Sequence, residues 1–410
     1  MINALTRGQD RAVAEIGSMI RGRAPHAVLL VGPGSVGKTT LALDMAAGLL
    51  CQAEDPDSRP CRECRGCRQV ASGNHPDLHR LSPEGPGGQV RIGAQKDPEP
   101  GTVRHLIGAV ALLPVEGGAR VAIVEQAHKL NDDAQNALLK LLEEPPAGVT
   151  LILCADDEEC LLPTVRSRCV RVRLGAVPIR QIERWLCDRG LVDAPQAARL
   201  ARLAAGRPGL ALAYARSSTA ERTRGEIARS LLDMLSSGRQ KRLATIRDLL
   251  RSSIALEESL EAGRTDRETG GTTSDDTSVA PATKPNRRRK GAAAAADASD
   301  EGAEPAETGK VSASDRRAAA GTLLEIWAEV GRDLMVAATG LPRQLREVEL
   351  LDDIRAIGPR VSTSSAKAFL ARLSEIAPKL DENVNPELAL DVLALSWPQV
   401  EGPRTASGRP

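Results

Sequence analysis

Aromatic side chains are almost missing from this 410-residue sequence, which contains three tryptophans, one tyrosine and one phenylalanine. Apolar residues still make up 41% of the chain, so a large core has to be built mainly from Leu, Val, Ile and Ala. A protein that binds single-stranded nucleic acid by stacking the bases needs aromatic platforms. The sequence therefore argues against that class of protein.

Long apolar runs and a strong excess of one charge are also missing. No stretch approaches the roughly 20 apolar residues that cross a bilayer, and the first ten residues lack the apolar core of a secretion signal. We therefore expect a soluble cytoplasmic protein that has no membrane partner. The formal net charge is +1, which gives no strong overall attraction to nucleic acid, so any contact with DNA should be local.

Strands and helices alternate in the first part of the chain. This alternation indicates a parallel sheet with helices on both faces, and it predicts an α/β P-loop domain over residues 1–175. Asn131 and Asp132 are typical residues for a helix N-cap. The apolar patterns predict strands at 27–31, 121–124 and 149–154, and helices at 3–21, 38–50 and 103–113.

The rest of the chain has helical periodicity, apart from one polar segment. We expect a small helical lid at 176–216, an all-α C-terminal domain formed by 217–262 and 317–400, and a tail at 401–410. Residues 263–316 are poor in apolar side chains, so we expect a disordered insertion there. The basic run at 287–290 inside it is interpreted either as a solvated linker or as a nonspecific tether to DNA phosphates.

A phosphate-binding loop of the pattern G-x-x-x-x-G-K-[ST] lies between the first predicted strand and the helix that follows it. In such a loop the backbone N–H groups bind the β-phosphate of a nucleotide, the lysine contacts the β- and γ-phosphates, and the last hydroxyl holds Mg²⁺. The sequence therefore predicts binding of ATP with Mg²⁺. The predicted nucleotide-binding residues are Gly32, Gly34, Ser35, Val36, Gly37, Lys38, Thr39 and Thr40.

Four cysteines at C-x9-C-x2-C-x2-C spacing follow the helix of the phosphate loop. In a reducing compartment, cysteines at this spacing favour one tetrahedral zinc over disulfides, and four thiolate ligands leave no position for a reactive water. We predict a structural zinc module at 51–67, with free or redox-active thiols as the alternative and His75 and His79 as rival ligands. The predicted ligands are Cys51, Cys61, Cys64 and Cys67.

The second predicted strand of the P-loop domain ends in Glu125 and Gln126, where a P-loop ATPase usually has an acidic pair. A carboxylate at the first position can serve Mg²⁺. The neutral amide of Gln126 can orient a water molecule but cannot accept its proton, and the loss of a general base costs about 10² to 10⁴ in rate. We predict that the chain binds ATP and is at most a weak ATPase.

Together with the P-loop and the cysteine insertion, several shorter motifs resemble bacterial clamp-loader subunits of the delta-prime and gamma/tau type. They cover most of the chain outside 263–316. The most specific is Asn136-Ala137-Leu138-Leu139-Lys140, which is followed by Leu142-Glu143-Glu144-Pro145-Pro146. The others are Gly8-Gln9, Pro25-His26-Ala27, the stretch at 161–169 that ends in Ser167-Arg168-Cys169, Gly206-Arg207-Pro208-Gly209, and the segment at 383–390.

The resemblance implies an AAA+ P-loop domain, a lid and a C-terminal collar domain within a hetero-pentamer of the DNA polymerase III holoenzyme. The implied partners are the gamma/tau and delta subunits, the sliding clamp and primer–template DNA in the bacterial replisome. Arg168 would act as an arginine finger on the ATP of a neighbouring subunit, or else be a surface ion-pair partner. The polymerase site itself would belong to another subunit of the assembly.

Three departures from the family pattern bear on the type of subunit. The Glu125–Gln126 pair replaces the acidic motif, Ala155 and Asp156 stand about where hydrolysing members have a sensor threonine, and no arginine aligns with the sensor in the segment that starts at Gly206. The departures favour a delta-prime type of subunit. A gamma/tau-type motor ATPase and a zinc-containing DNA-repair P-loop ATPase are the alternatives.

Overall fold

The computed structural model describes residues 2–83, 90–116, 118–265, 312–339, 350–380 and 384–400. Most of the insertion predicted at 263–316, including the basic run at 287–290, lies outside these residues, and so does the tail at 401–410. Helices continue to residue 265 before the insertion and resume at residue 313 after it, so the helical part of the chain is slightly longer than predicted.

The N-terminal domain is built on a five-stranded parallel sheet, in which the strands have the order β2-β3-β4-β1-β5. The central strands β3, β1 and β4 are almost entirely buried and consist mainly of aliphatic residues, as expected for a sheet covered on both faces. The strands are β1 (Ala27–Val31), β2 (Leu78–Leu81), β3 (Arg120–Val124), β4 (Val149–Ala155) and β5 (Val170–Arg173).

Six helices accompany the sheet, and nine more form the rest of the described chain. The first six are α1 (Asp10–Arg21), α2 (Lys38–Leu49), α3 (Arg65–Ala71), α4 (Val103–Ala111), α5 (Asp132–Glu143) and α6 (Pro163–Arg166). The others are α7 (Ile179–Asp188), α8 (Ala194–Leu203), α9 (Pro208–Arg216), α10 (Ser218–Asp233), α11 (Arg239–Thr265), α12 (Ala313–Ala338), α13 (Leu351–Ile357), α14 (Thr363–Ile376) and α15 (Pro386–Ser396).

The sheet separates two apolar clusters. One contains Ile16 of α1 and Leu41 of α2, and the other contains Leu106 of α4 and Leu138 of α5. The helices after residue 176 share a third, continuous cluster, in which Trp327 packs against Phe369 and Trp397 at ring-centroid distances of 5.3 and 5.6 Å. The predicted α/β domain with helices alone after it is therefore confirmed. Among the described residues, no helix has the length and hydropathy needed to cross a bilayer.

The first helix is shorter than predicted, because residues 3–9 are held outside the helix by contacts with other parts of the domain. The N–H groups of Leu5 and Thr6 donate to the buried carboxylate of Asp44 at 2.9 to 3.1 Å. The Gln9 amide donates to the Gly175 carbonyl at 2.7 Å. These contacts replace the helical hydrogen bonds that the periodicity predicted for this segment.

Candidate nucleotide site and zinc centre

The phosphate loop connects the end of β1 to the start of α2. Ser35 and Gly37 have positive φ angles of 60° and 108°, which turn successive N–H groups toward one side of the loop. Among the described residues, no backbone carbonyl accepts a hydrogen bond from the N–H groups of Gly34, Ser35, Val36 or Gly37. A curved loop with free N–H groups at a helix N-terminus is suited to an anion, so the predicted residues fit a nucleotide phosphate.

Lys38 begins α2, and only 8% of its surface is exposed. Its ammonium group donates to the carbonyl oxygens of Gly32 and Pro33 at 2.6 and 2.8 Å. The third partner is the Asp156 carboxylate, whose Oδ1 atom lies 2.7 Å from Nζ. An ammonium group has three protons, so these three acceptors match its full capacity.

The two residues at the end of β3 have different surroundings. Glu125 is half-buried and accepts from Arg80 of β2, whose Nε and Nη2 atoms lie 2.8 and 2.7 Å from Oε1. Gln126 is exposed, and both residues face the same cavity as Lys38. The Gln126 amide thus faces the cavity beside the phosphate loop, whereas the Glu125 carboxylate next to it is paired with an arginine.

The cavity beside the loop has a volume of about 560 Å³, within the usual range for a small-molecule site. Its walls come from the sheet domain and from the helices after it, and they include Thr6, Thr39, Thr40, Trp185 and Tyr214. Space for a base and a ribose is therefore present next to the phosphate loop.

The start of α9 lies directly on the phosphate loop. The Gly209 N–H donates to the Ser35 carbonyl at 2.9 Å, and a Cβ atom at Gly209 would lie 3.0 Å from the same oxygen. Arg207, two residues earlier, points away from this contact, because it forms ion pairs with Glu325 and Glu329 of α12 at 2.5 and 3.5 Å. Arg207, the arginine nearest to the expected sensor position, is therefore held by two carboxylates of α12.

The four predicted zinc ligands come together, and all of their sulfur atoms lie within 4.8 Å of one another. The Cys51–Cys61, Cys51–Cys64 and Cys61–Cys67 sulfur separations are 3.6, 3.9 and 4.0 Å. A tetrahedral zinc with bonds of about 2.3 Å requires sulfurs about 3.8 Å apart, so the residues fit this metal. His75 is not part of the cluster, since its Nδ1 atom accepts the Asp77 N–H at 3.1 Å.

Backbone N–H groups point at the cysteine sulfurs. The N–H groups of Cys64 and Cys67 lie 3.3 and 3.4 Å from the sulfurs of Cys61 and Cys64. Hydrogen bonds from Cys64 and Glu63 lower the pKa of the Cys61 thiol to about 6, which favours the thiolate that a metal requires. Burial raises the pKa of the Cys51 and Cys67 thiols, so among the shifted cysteines only Cys61 has a stabilised thiolate before a metal binds.

The zinc module is attached to the P-loop domain through a buried carboxylate. Asp44 of α2 is completely buried and forms an ion pair with Arg62 of the module, while its other contacts hold the N-terminal segment. Arg65 pairs with Glu116 at 3.3 Å. Arg62 and Arg65, two of the four arginines within residues 59–68, therefore have carboxylate partners of their own.

Arg168 lies away from the cavity, just after α6. Its guanidinium donates to the Thr164 carbonyl at 2.9 Å and to Glu143 of α5 at 2.7 Å, and about a third of the side chain is exposed. Arg168 does not line the nucleotide cavity of its own chain. It therefore has an exposed location from which it could reach another molecule, together with the surface ion pair that was the alternative interpretation.

Three contacts of the site were not predicted. The pairings of Arg80 with Glu125 and of Asp156 with Lys38 depend on neighbouring strands that are far apart in sequence. The contact of Gly209 with Ser35 depends on how the helical region packs on the loop. Outside the four-cysteine cluster, Cys154 is buried and Cys160 is exposed.

Known proteins share the N-terminal part of this architecture. Residues 8–178 match the family model described as DNA polymerase III, delta subunit. The delta-prime subunit of DNA polymerase III from Pseudomonas aeruginosa is 38% identical over 195 residues, which are 47% of this chain and 56% of the relative. The part of the chain that matches is therefore similar to delta-prime subunits of DNA polymerase III.

Two further relatives cover a similar share of this chain. The delta-prime subunit of Escherichia coli is 35% identical over 48% of this chain and 57% of the relative. The tau subunit of Escherichia coli is 32% identical over 48% of this chain and 30% of the relative. The chain thus spans little more than half the length of the delta-prime relatives that it matches.

Solved structures resemble the chain more widely but at low similarity. A DNA polymerase III gamma subunit-related protein from Thermotoga maritima is 16% identical, with a TM-score of 0.41, over 94% of this chain and 98% of its own. RuvB from the same organism is also 16% identical, with a TM-score of 0.33, over 64% of this chain and 70% of its own.

Proposed function

We propose that the chain is a delta-prime-type subunit of the clamp loader in a bacterial DNA polymerase III holoenzyme, where it helps to load the sliding clamp on primed DNA during replication. It binds ATP with Mg²⁺ at the phosphate loop but cleaves it poorly, and it donates Arg168 to the nucleotide of a neighbouring subunit. Its partners are the gamma/tau and delta subunits, the sliding clamp and primer–template DNA.

The observation that carries this proposal is an intact phosphate loop beside a hydrolysis position that lacks its base. The free N–H groups at residues 34–37 and the buried Lys38 favour phosphate binding. Gln126 cannot accept the proton of an attacking water, and Glu125 is engaged by Arg80 at 2.7 Å. ATP bound here would place its phosphates on the loop, and Thr39 would supply a hydroxyl to Mg²⁺.

The location of Arg168 supports a role outside its own nucleotide site. A finger that acts in trans has to be accessible, and it has to be held so that little conformational entropy is lost on docking. Arg168 meets both needs, because one of its nitrogens is fixed on the Thr164 carbonyl and another on Glu143. When the Arg168 guanidinium leaves Glu143 and binds a phosphate oxygen of the neighbouring nucleotide, it remains paired with a negative charge.

The zinc has a structural role in this proposal. Four cysteines fill a tetrahedral coordination sphere, so the metal would be held by Cys51, Cys61, Cys64 and Cys67 without an open position for substrate. The chemistry that it supplies is the cross-linking of a loop that has little apolar core of its own. The module is in turn tied to α2 through Arg62 and Asp44.

The test is reconstitution of the full chain with its gamma/tau and delta partners, the clamp and primed DNA, followed by measurement of clamp-stimulated ATPase. Replacement of Arg168 by Ala should lower the stimulated rate by about 10³ at the site that the finger serves, because a finger stabilises transition-state charge. Arg173→Ala is the matched control, since Arg173 is also a surface arginine in an ion pair with a carboxylate, at 2.6 Å from Glu158.

An unchanged rate in the Arg168→Ala assembly, with the assembly intact by size, would remove the finger from the proposal. Rapid ATP turnover by the purified chain alone would instead favour a gamma/tau-type motor. The 32% identity to the tau subunit supports this alternative function. Failure to assemble with any clamp-loader partner would favour a P-loop ATPase outside replication.

A further inference from the structure

Asp156 occupies a position on the phosphate loop that the nucleotide-binding proposal does not use. It directly follows β4, next to the end of β1, where the loop begins. Its Oδ1 atom lies 2.7 Å from Lys38 Nζ, and its Oδ2 atom would lie 3.4 Å from a Cβ atom at Gly34. The carboxylate therefore covers the loop at the point where the lysine would meet a phosphate.

The hydrogen bonds of Lys38 show which ligand group this carboxylate opposes. Two ammonium protons are taken by the Gly32 and Pro33 carbonyls, which belong to the loop itself. The third proton is the one that remains for a phosphate oxygen, and Asp156 accepts it. The β-phosphate still has the N–H groups of residues 34–37, whereas a γ-phosphate depends more on the lysine.

We propose that Asp156 is a specificity-determining residue that makes the site prefer a nucleoside diphosphate to a triphosphate. A γ-phosphate has to displace the carboxylate from Lys38 and then lies beside it, and two like charges a few ångströms apart repel strongly in a partly enclosed site. A diphosphate leaves the Asp156–Lys38 pair intact. This inference rests on the proposed nucleotide binding and adds to it the state of the nucleotide that the subunit holds.

Asp156 is positioned well for this role, because its backbone is fixed while its side chain stays accessible. Its N–H donates to His128 Nδ1 at 3.2 Å, and about half of the side chain is exposed. A conservative replacement should therefore leave the fold unchanged. Asparagine keeps the size and one acceptor oxygen but removes the charge.

The experiment is equilibrium titration of the full, zinc-loaded chain with Mg·ADP and with a non-hydrolysable Mg·ATP analogue. Wild type should bind the diphosphate about tenfold more tightly than the triphosphate analogue, and Asp156→Asn should tighten triphosphate binding by about tenfold with less than about a threefold change for ADP. Asp157→Asn is the control, since Asp157 is the next carboxylate in the chain and is exposed. It should change neither affinity.

Three results would overturn the inference. If Asp156→Asn binds both nucleotides more tightly by the same factor, the Asp156 charge does not discriminate between them. If neither affinity changes, the charge has no effect on nucleotide binding. Weaker triphosphate binding in Asp156→Asn, with the loss confined to titrations that contain Mg²⁺, would make Asp156 a ligand of the metal. If wild type and variant bind neither nucleotide, the proposed nucleotide binding itself is wrong. If both nucleotides bind but with equal affinity, only the preference for the diphosphate is wrong, and the proposed nucleotide binding still holds.

Discussion

Buried carboxylates tie together segments of this protein that are far apart in sequence. Asp77 is 1% exposed and accepts hydrogen bonds from the N–H groups of Val115 and Glu116 at 2.7 and 3.0 Å and from Arg120 at 3.2 Å. Burial alone would raise the pKa of this carboxyl, but the two N–H groups and the Arg120 charge outweigh it and hold the pKa below its ordinary value. The ionised form therefore stabilises the folded state.

The pH dependence of stability follows from the sign of this shift. Because the pKa is lower in the folded state than the value of about 3.9 in an unfolded chain, the contribution of Asp77 is fully present above about pH 4. It is lost as the pH falls through the lower folded value. Asp77→Asn should cost about 3 kcal/mol at neutral pH, because Arg120 loses its charge partner in a buried place.

The check for Asp77 is chemical denaturation of wild type and variant between pH 7 and pH 2. The difference between their free energies of unfolding should be largest at neutral pH and should shrink below about pH 4. Asp353→Asn, at an exposed position, is the control and should follow wild type. A difference that stays constant down to pH 2 would contradict the assigned role of the Asp77 charge.

The buried, charge-paired roles of Asp77 and Asp44 could not be predicted from the sequence, because the residues around an aspartate do not indicate whether it will be buried. The same limit applies to Asp156, which could be named from its position after a predicted strand but not paired with Lys38. By contrast, the phosphate-loop residues and the four cysteines have fixed spacing that reflects one ligand. Those residues were predicted as groups and lie together in the structure.

At the scale of single elements, the aliphatic strands and the capped helices were predictable. Strands β1, β3 and β4 match their predicted ranges within one residue, and Asn131 accepts from the Ala134 N–H at 2.9 Å as an N-cap. Strands β2 and β5 were missed because each has only four residues and includes polar side chains. Their pairing with the central strands fixes them, and that pairing is not encoded locally.

The zinc module is an element whose stability depends on its ligand. We expect about one zinc per chain by elemental analysis, and none after Cys64→Ser. Removal of the metal should lower the unfolding temperature, because the loop between α2 and α3 loses its cross-link and Arg62 loses its fixed position on Asp44.

The control for the zinc prediction is Cys160→Ser, since Cys160 is exposed and lies outside the four-cysteine cluster. It should keep both the metal content and the unfolding temperature of wild type. Full metal content in Cys64→Ser would contradict the assigned ligand set. A chelator that removes all zinc without any change in the unfolding temperature would contradict the structural role.

In the molecule as a whole, the cavity beside the phosphate loop lies where three parts of the chain meet. The phosphate loop forms its floor, Gly209 of α9 contacts that floor, and Arg207 connects α9 to Glu325 and Glu329 of α12. A nucleotide that moved α9 would therefore disturb ion pairs in the helical region. The predicted boundary near residue 216 crosses one continuous apolar cluster, so the lid and the C-terminal domain remain a proposed division.

The helical region also shows why its arrangement could not be predicted. With so few aromatic residues, its periodicity is carried by Leu and Ala, which pack in many equivalent ways. The three aromatic rings of Trp327, Phe369 and Trp397 meet from three different helices or their ends, at centroid distances of 4.5 to 5.6 Å. Those contacts become visible only when the helices are packed.

The proposal that this chain holds a nucleotide without turning it over efficiently can be tested on the isolated protein. The purified full chain is mixed with Mg·ATP, and bound nucleotide and released phosphate are counted in the same sample, beside Gln126→Glu. We expect about one nucleotide per chain, phosphate release slower than the roughly 1 s⁻¹ at the low end of ordinary enzymes, and faster release in the variant. Turnover by wild type at or above that rate would contradict the proposal.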